Sequence, residues 1–464
     1  MARLTRPRRA LSTNPLKSSA PLGAAMAYLG IEGAVPLFHG AQGCTAFAMV
    51  HMVRHFREAI PLQTTAMNEV STILGGAEQI EEAIANLKKK ADPRFIGIAS
   101  TALTETSGED IRGEVADIMA RRSDFANLRV VYAATPDFEG AMEDGWAKAV
   151  RAIIDTLVPE IDPMWRDPDL RQVNLLPAAY LTPAEIEEIV RMIRAFGLKP
   201  IVLPDLSASL DGHLAEDWSG KSLGGTRLDD IPAMARSAVT FAIGESMRGA
   251  ATLLAERGHM PVQVFPSLTG LKAVDAFVAA LMRVAGTTDA PPAIRRDRAR
   301  AQDAMLDAHF QTGGLKYAIA ADPDLAYALS SALAAMGAEA VAVVTTSAAN
   351  PIVELIPCET AVLGDLGDLE EGARDGGARL LISHAHGRHA AAALGLPLIR
   401  AGFPINDRLG AQDACRVGYR GTRAFLFEVA NAVLAHPHNA QPQDFGAAPM
   451  EPEFEHDRSQ TAPH

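Results

Sequence analysis

Short β-branched runs alternate with Ala- and Leu-rich stretches along nearly the whole chain, the rhythm expected of strand–helix–strand units and of parallel sheets covered on both faces. The predicted strands of a first block fall at 35–39, 95–101 and 128–134. A second block holds 172–176, 200–203, 238–242 and 262–265, and a third holds 317–320, 340–344, 360–363, 380–382 and 396–399. The Thr- and Pro-rich stretch 287–296 reads as a linker, and 159–168 as a weaker one. Gly224-Gly225-Thr226 reads as a turn into a helix over 228–237.

The pattern predicts an α/β fold of three doubly wound, Rossmann-like domains with parallel sheets, at 21–160, 170–286 and 297–404. Residues 405–435 are expected to form C-terminal helices that pack back on the body. Residues 1–20 carry Arg3, Arg6, Arg8, Arg9 and Lys17 without an acid and read as a flexible basic arm. Rich in Pro, Gln and acids, 436–464 reads as a disordered acidic tail.

At 464 residues, 48% hydrophobic and 21% charged, the chain is long enough for several cores. A net charge of −13 argues against a general nucleic-acid binder and requires local basic clusters for any anionic ligand. Three cysteines are too few for a disulfide framework, and no apolar run is long enough to span a membrane. No long apolar region follows Arg8-Arg9, as a twin-arginine export signal requires, so the expected location is cytoplasmic.

Ligands of open α/β sheets collect at the carboxyl ends of strands, which directs attention to the loops there. Cys44 follows the strand 35–39 through Gly40-Ala41-Gln42-Gly43, and a helix is expected from near Thr45. A helix N-terminus lowers a thiol pKa, and Gly40 and Gly43 allow backbone to approach a bulky anionic ligand. A buried cysteine acting as a small hydrophobe is the alternative. If Cys44 binds metal, other ligands must come from elsewhere: the other cysteines, Cys358 and Cys415, lie more than 300 positions away and read as structural thiols. A partner chain is the natural supplier.

Downstream, His51, Arg54, His55 and Arg57 crowd one segment, with Arg54 and Glu58 at i, i+4. They form either an exposed helix face with one ion pair or a basic layer around an anionic cluster near Cys44. His384, His386 and His389 follow the strand 380–382; an H-x-H pair can chelate metal, or these imidazoles simply hydrogen-bond. Ser219-Gly220-Lys221-Ser222 resembles the end of a phosphate-binding loop, but Ala215 stands where the earlier glycine is required.

Several longer motifs run through the chain: Pro21-Leu22-Gly23-Ala24, the run from Pro36 to Phe47, Arg54-His55-Phe56-Arg57-Glu58 and the run from Pro61 to Met67. Thr135 to Ala141 with Gly145-Trp146, Gly224-Gly225-Thr226, Pro397 to Pro404 and Gly418 to Gly421 extend the set. In these motifs the chain resembles the nitrogenase component 1 superfamily, and more closely its iron–molybdenum cofactor biosynthesis branch. Catalytic nitrogenase β subunits hold half of a P-cluster with three cysteines. By motif, the first position is Cys44, while the second and third fall at about Leu62 and Ala102, which cannot ligate iron.

The resemblance instead implies a [4Fe–4S] cluster shared with a NifE-type sister subunit giving three thiolates, within an α2β2 heterotetramer. Cys44 would be this chain's metal ligand, Gly40 and Gly43 would give the cluster room, and His55 and Arg57 would surround it with donors. On such a scaffold an iron–molybdenum cofactor precursor matures, with the nitrogenase iron protein, a cluster donor and apo-nitrogenase as transient partners. The chain would then be an assembly subunit and not an enzyme in the ordinary sense. A catalytic nitrogenase-like reductase β subunit is the alternative, and a solute or metal carrier with stacked domains a third.

Overall fold

The computed structural model describes residues 2–7, 12, 14–68, 72, 75–108, 110–214 and 219–436. Its strands are Arg3–Thr5 (β1), Ala34–His39 (β2), Gln63–Thr64 (β3), Phe95–Ser100 (β4), Arg129–Ala133 (β5), Asp169–Pro177 (β6), Lys199–Val202 (β7), Ser237–Ile243 (β8), Val262–Phe265 (β9), Lys316–Ala320 (β10), Glu339–Thr345 (β11), Thr360–Leu363 (β12), Leu380–Ser383 (β13) and Leu398–Arg400 (β14). They form three sheets, ordered β3-β2-β4-β5, β7-β6-β8-β9 and β1-β12-β11-β10-β13-β14, and every pairing is parallel. The α/β class with parallel sheets is therefore as expected. β2, β4 and β13 are buried at every position, which is why they read as continuous apolar runs. Among the described residues no helix is long and apolar enough to cross a membrane.

Helix α1, Ala20–Leu29, is buried at all ten positions, matching its lack of a polar side. Small residues let it press on the helix Met142–Leu157: a Cβ on Gly23 would lie 1.9 Å from the Met142 carbonyl oxygen, and one on Gly145 would lie 1.8 Å from that of Ala20. On the other side, Gly97 in β4 makes room for the Tyr28 ring, whose hydroxyl donates to the Ile98 carbonyl at 3.2 Å. Trp146 then ties the first body to the second by donating to the Pro177 carbonyl at 2.9 Å.

Several expectations need correction. The described part of the basic arm is docked: β1 pairs with β12, Ala2 and Leu16 are buried, and Leu366 donates its N–H to the Asn14 carbonyl. The unpaired edge of the third sheet offers the arm a row of backbone partners. The supposed linker 287–296 ends in the helix Pro292–Thr312, because a proline at the first helical position loses no hydrogen bond. The helix expected over 228–237 is a 3-10 turn, Pro232–Arg236, and Ser237 already begins β8. C-terminal packing comes from one helix, Gly418–Leu434, laid along Pro292–Thr312. The expected acidic tail, from residue 437 onward, lies outside the described residues.

The three bodies meet at a buried acid cluster. Glu143 sits in the helix after β5, Glu245 and Ser246 follow β8, and Asp324 follows β10. Asp324 accepts from the backbone N–H of Glu245 at 3.0 Å and of Ser246 at 3.2 Å, and from the Ser246 hydroxyl at 2.6 Å. Glu143 accepts from the Asp324 N–H at 3.0 Å, and the Asn350 amide bridges both carboxylates at 2.6 and 2.9 Å. Glu143, Asp324 and Asn350 are all buried; desolvation and then the neighbouring carboxylates push Glu143 well above the usual carboxylate range, burial also raises Asp324, and oriented N–H and O–H groups satisfy their oxygens in place of water.

Nearby, burial pushes the Asp322 carboxyl up to about 6 against the Thr346 hydroxyl that donates to it, and Asp144 and Asp324 push it further. With the unfolded group near its ordinary value, the stability this carboxyl supplies is full below that value and is lost as pH rises through about 6. Asp322→Asn, which keeps an acceptor for Thr346, is therefore expected to stabilise the protein at pH 8 by on the order of 1–3 kcal/mol, a gain that fades towards pH 4. Urea midpoints across that pH range check it; a gain independent of pH would refute the assignment.

Candidate metal centre around Cys44

β2 delivers the chain to its carboxyl end at His39, and helix α2, Gln42–Phe56, starts three residues later. The helix begins earlier than expected and places Cys44 in its first turn, exposed to solvent. A Cβ on Gly43 would meet nothing within 4 Å, so backbone there is open to a bulky ligand. Gly40 serves a different purpose: a Cβ there would lie 2.2 Å from the Thr101 hydroxyl, and its N–H donates to Thr65 at 3.1 Å. It packs the turn and leaves no room for a ligand, contrary to the sequence expectation.

The thiol is not activated as its helical position predicts. Desolvation by the surrounding protein and then the Asp137 carboxylate hold Cys44 above its ordinary value, outweighing the backbone hydrogen bond that lowers it. Cys44 opens on a cavity of about 710 Å³ walled by Leu16, Lys17, Phe38, Phe47, Asp137 and Asp365. The docked arm thus forms one wall, and Lys17 donates to the Asp137 carbonyl at 3.3 Å. Along α2 the outward side is apolar, with Phe47 68%, Val50 52% and Val53 38% exposed, and Phe138 beyond β5 is 66% exposed. The 3-and-4 spacing of 44, 47, 51 and 54 was the signal available for this side; Asp137 had none.

His55 and Arg57 do not surround Cys44. His55 lies 11 residues along α2, about 16 Å away along the axis. It is buried against Phe56 and Phe403, and its Nδ1 accepts the Ile405 N–H at 2.9 Å. Burial drives its pKa down to about 4, so it is a neutral packing group. Arg57 caps the helix in the left-handed conformation, φ 62°, and reaches the Asn406 carbonyl at 3.4 Å. Because α2 ends at Phe56, Glu58 lies off the helix and the expected i, i+4 pair with Arg54 is not made.

His384 uses both ring nitrogens within the fold: Nδ1 accepts the His386 N–H at 3.2 Å and Nε2 donates to the Leu16 carbonyl at 3.2 Å, anchoring the arm. His386 lies 6.2 Å from His51, ring centre to ring centre, and His389 is exposed. Among the described residues no three His, Cys, Asp or Glu side chains come together to hold a metal ion. Ser222 ties Ile31 and Ala34 to the second body, which accounts for the phosphate-loop lookalike. Burial raises Cys358 to about 11 and Cys415 to about 12, as structural thiols require. Leu62 is buried in the core, and Ala102 opens the short helix Ala102–Ser107 with its N–H on the Asp137 carboxylate.

One thiol, with room beside Gly43 and Phe38 and Phe47 at its cavity, fits a single ligand to a metal–sulfur group whose other ligands would come from outside this chain. Removing the neighbouring charge with Asp137→Asn should lower the Cys44 pKa and speed its alkylation by iodoacetamide at pH 7.5 by about threefold or more. An unchanged rate would show that Asp137 does not control the thiol.

The profile described as nitrogenase component 1 type oxidoreductase matches residues 19–434. The chain is 68% identical over 456 residues to the nitrogenase iron-molybdenum cofactor biosynthesis protein NifN of Rhodobacter capsulatus, covering 98% of each. It is 40% identical to the protein of that name from Klebsiella pneumoniae, covering 95% of each. A solved chain titled nitrogenase Cp1 at pH 6.5 superposes with a TM-score of 0.88 at 29% identity, over 95% of this chain and 97% of that one. With the full architecture matched and relatives this similar along their whole length, the chain belongs to the nitrogenase component 1 type oxidoreductase family, beside the NifN cofactor-biosynthesis proteins.

Proposed function

We propose that this chain is one subunit of a scaffold complex on which the iron–molybdenum cofactor precursor is assembled before transfer to apo-nitrogenase. Cys44 supplies one thiolate to a [4Fe–4S] cluster, and a NifE-type sister subunit supplies three, in an α2β2 heterotetramer. The nitrogenase iron protein and a cluster donor visit transiently. The observation that carries this reading is the lone exposed thiol in the first turn of α2, beside the exposed Phe47. The names of the relatives support the biosynthetic role.

The alternative, a catalytic reductase β subunit, needs further thiolates from this chain. Leu62 is buried in the core and Ala102 carries no donor, so the second and third cysteine positions of the catalytic relatives offer nothing to iron. As a thiol held in its protonated form, Cys44 must lose a proton when iron binds, which ties cluster assembly to the arrival of the other ligands.

Purified anaerobically with the sister subunit, the complex is expected to carry one [4Fe–4S] cluster per heterodimer besides any precursor, and Cys44→Ala to lose or alter it. Iron content and electron paramagnetic resonance read the outcome. An unchanged cluster signal in Cys44→Ala rules out the ligand assignment.

A further inference from the structure

Cys44, Phe47, His51 and Arg54 share one side of α2, and Arg54 lies about 15 Å along the axis from Cys44. At that end the surface changes from apolar to cationic. Arg54 is exposed; burial and then the Arg54 charge lower the pKa of His51, and burial followed by His51, Arg388, His389 and Arg54 lowers that of His386. Arg57 and Arg388 converge on Asn406, each at 3.4 Å from one of its oxygens, and His389 and Arg408 are exposed beside them. Two acids lie at its margin: Asp407 is paired with Arg400 and also feels the Arg388 charge, and Glu58 faces His213 and Asp211. On a chain of net charge −13 this is a concentrated positive spot.

A partner that brings three thiolates to a cluster at Cys44 must sit over this side of α2. A standard contact removes about 800 Å² from each partner, enough to reach 15 Å along the helix and cover Arg54. A guanidinium covered without a carboxylate is strongly unfavourable, because it gives up water and gains nothing. Resting on the shared-cluster reading above, we propose that the sister subunit seats an acidic segment on the Arg54, Arg57 and Arg388 end of α2, and that these ion pairs steer and register the two subunits. Phe47, exposed on the same side as Cys44, supplies apolar contact area, and the charged end supplies selectivity and association rate.

The test uses the co-expressed complex. Arg54→Glu with Arg388→Glu is expected to weaken recovery of the sister subunit by about tenfold or more and to flatten its dependence on salt between about 0.05 and 0.5 M. The complex that remains should keep its iron per heterodimer. In a second arm that leaves the charge in place, Arg388→Lys treated with a carbodiimide should crosslink to an Asp or Glu of the sister subunit. Assembly unaffected by the double reversal, tighter assembly in Arg54→Leu with Arg388→Leu, or an assembled complex without the crosslink would each overturn the proposal. So would assembly unaffected by the reversal while inorganic phosphate binds the isolated chain through Arg54, which would assign the spot to a small anion. The two readings separate cleanly: Cys44→Ala with unchanged iron sinks the cluster ligand, whereas the crosslink reports docking alone.

Discussion

The placement of everything else depends on the junction where Glu143, Asp324 and Asn350 meet among the three sheets. Each sheet presents its carboxyl end toward this centre, and each contributes a group to it: a helix residue following β5, backbone N–H groups following β8 and a carboxylate following β10. Buried acids without cations are costly in isolation. Here each carboxyl oxygen of Glu143 and Asp324 accepts at least one directed donor, so burial of these acids is tolerable only while the three bodies stay in this arrangement. That dependence fixes where β2 ends relative to the third sheet, and so fixes the cleft between Cys44 and the docked arm.

The arm shows how the same geometry builds a wall from an unlikely segment. Its arginines read as a solvated extension, yet Leu4 and Leu16 reach apolar clusters of the third body and β1 completes the edge of that sheet. His384 grips the arm at Leu16 and Asp365 receives the Ser12 hydroxyl. A three-residue strand has no period to detect, so only the unpaired edge of β12, invisible in sequence, determines its position.

What was legible followed from burial on both sides. β2, β4 and β13 stand out as apolar runs because no face of theirs meets water, and the strand–helix alternation then gives a parallel sheet with little choice. The helix at Pro292 was hidden because consecutive prolines read as linker, although one of them is well suited to a first turn. At the site, Cys44 and its loop were visible through residue type and position. The roles of Gly40 and His55 were not, since both are decided by neighbours distant in sequence: Thr101 fills the space above the glycine, and Ile405 takes the imidazole nitrogen. Asp137 was missed for the same reason, lying 93 positions beyond the thiol it disfavours ionising.

The electrostatics of the cleft give the isolation of Cys44 a physical sense. A thiol activated by its helix end would be a reactive nucleophile standing alone on an exposed face. Desolvation and Asp137 instead keep it protonated. In that state it is a poor nucleophile; on the shared-cluster proposal, a metal ion arriving with its own ligands would displace the proton, since a metal ion deprotonates a coordinating thiol outright. Leu62 packs in the core, while the backbone N–H of Ala102, present whatever the side chain, reaches the Asp137 carboxylate that disfavours ionisation of the remaining thiol.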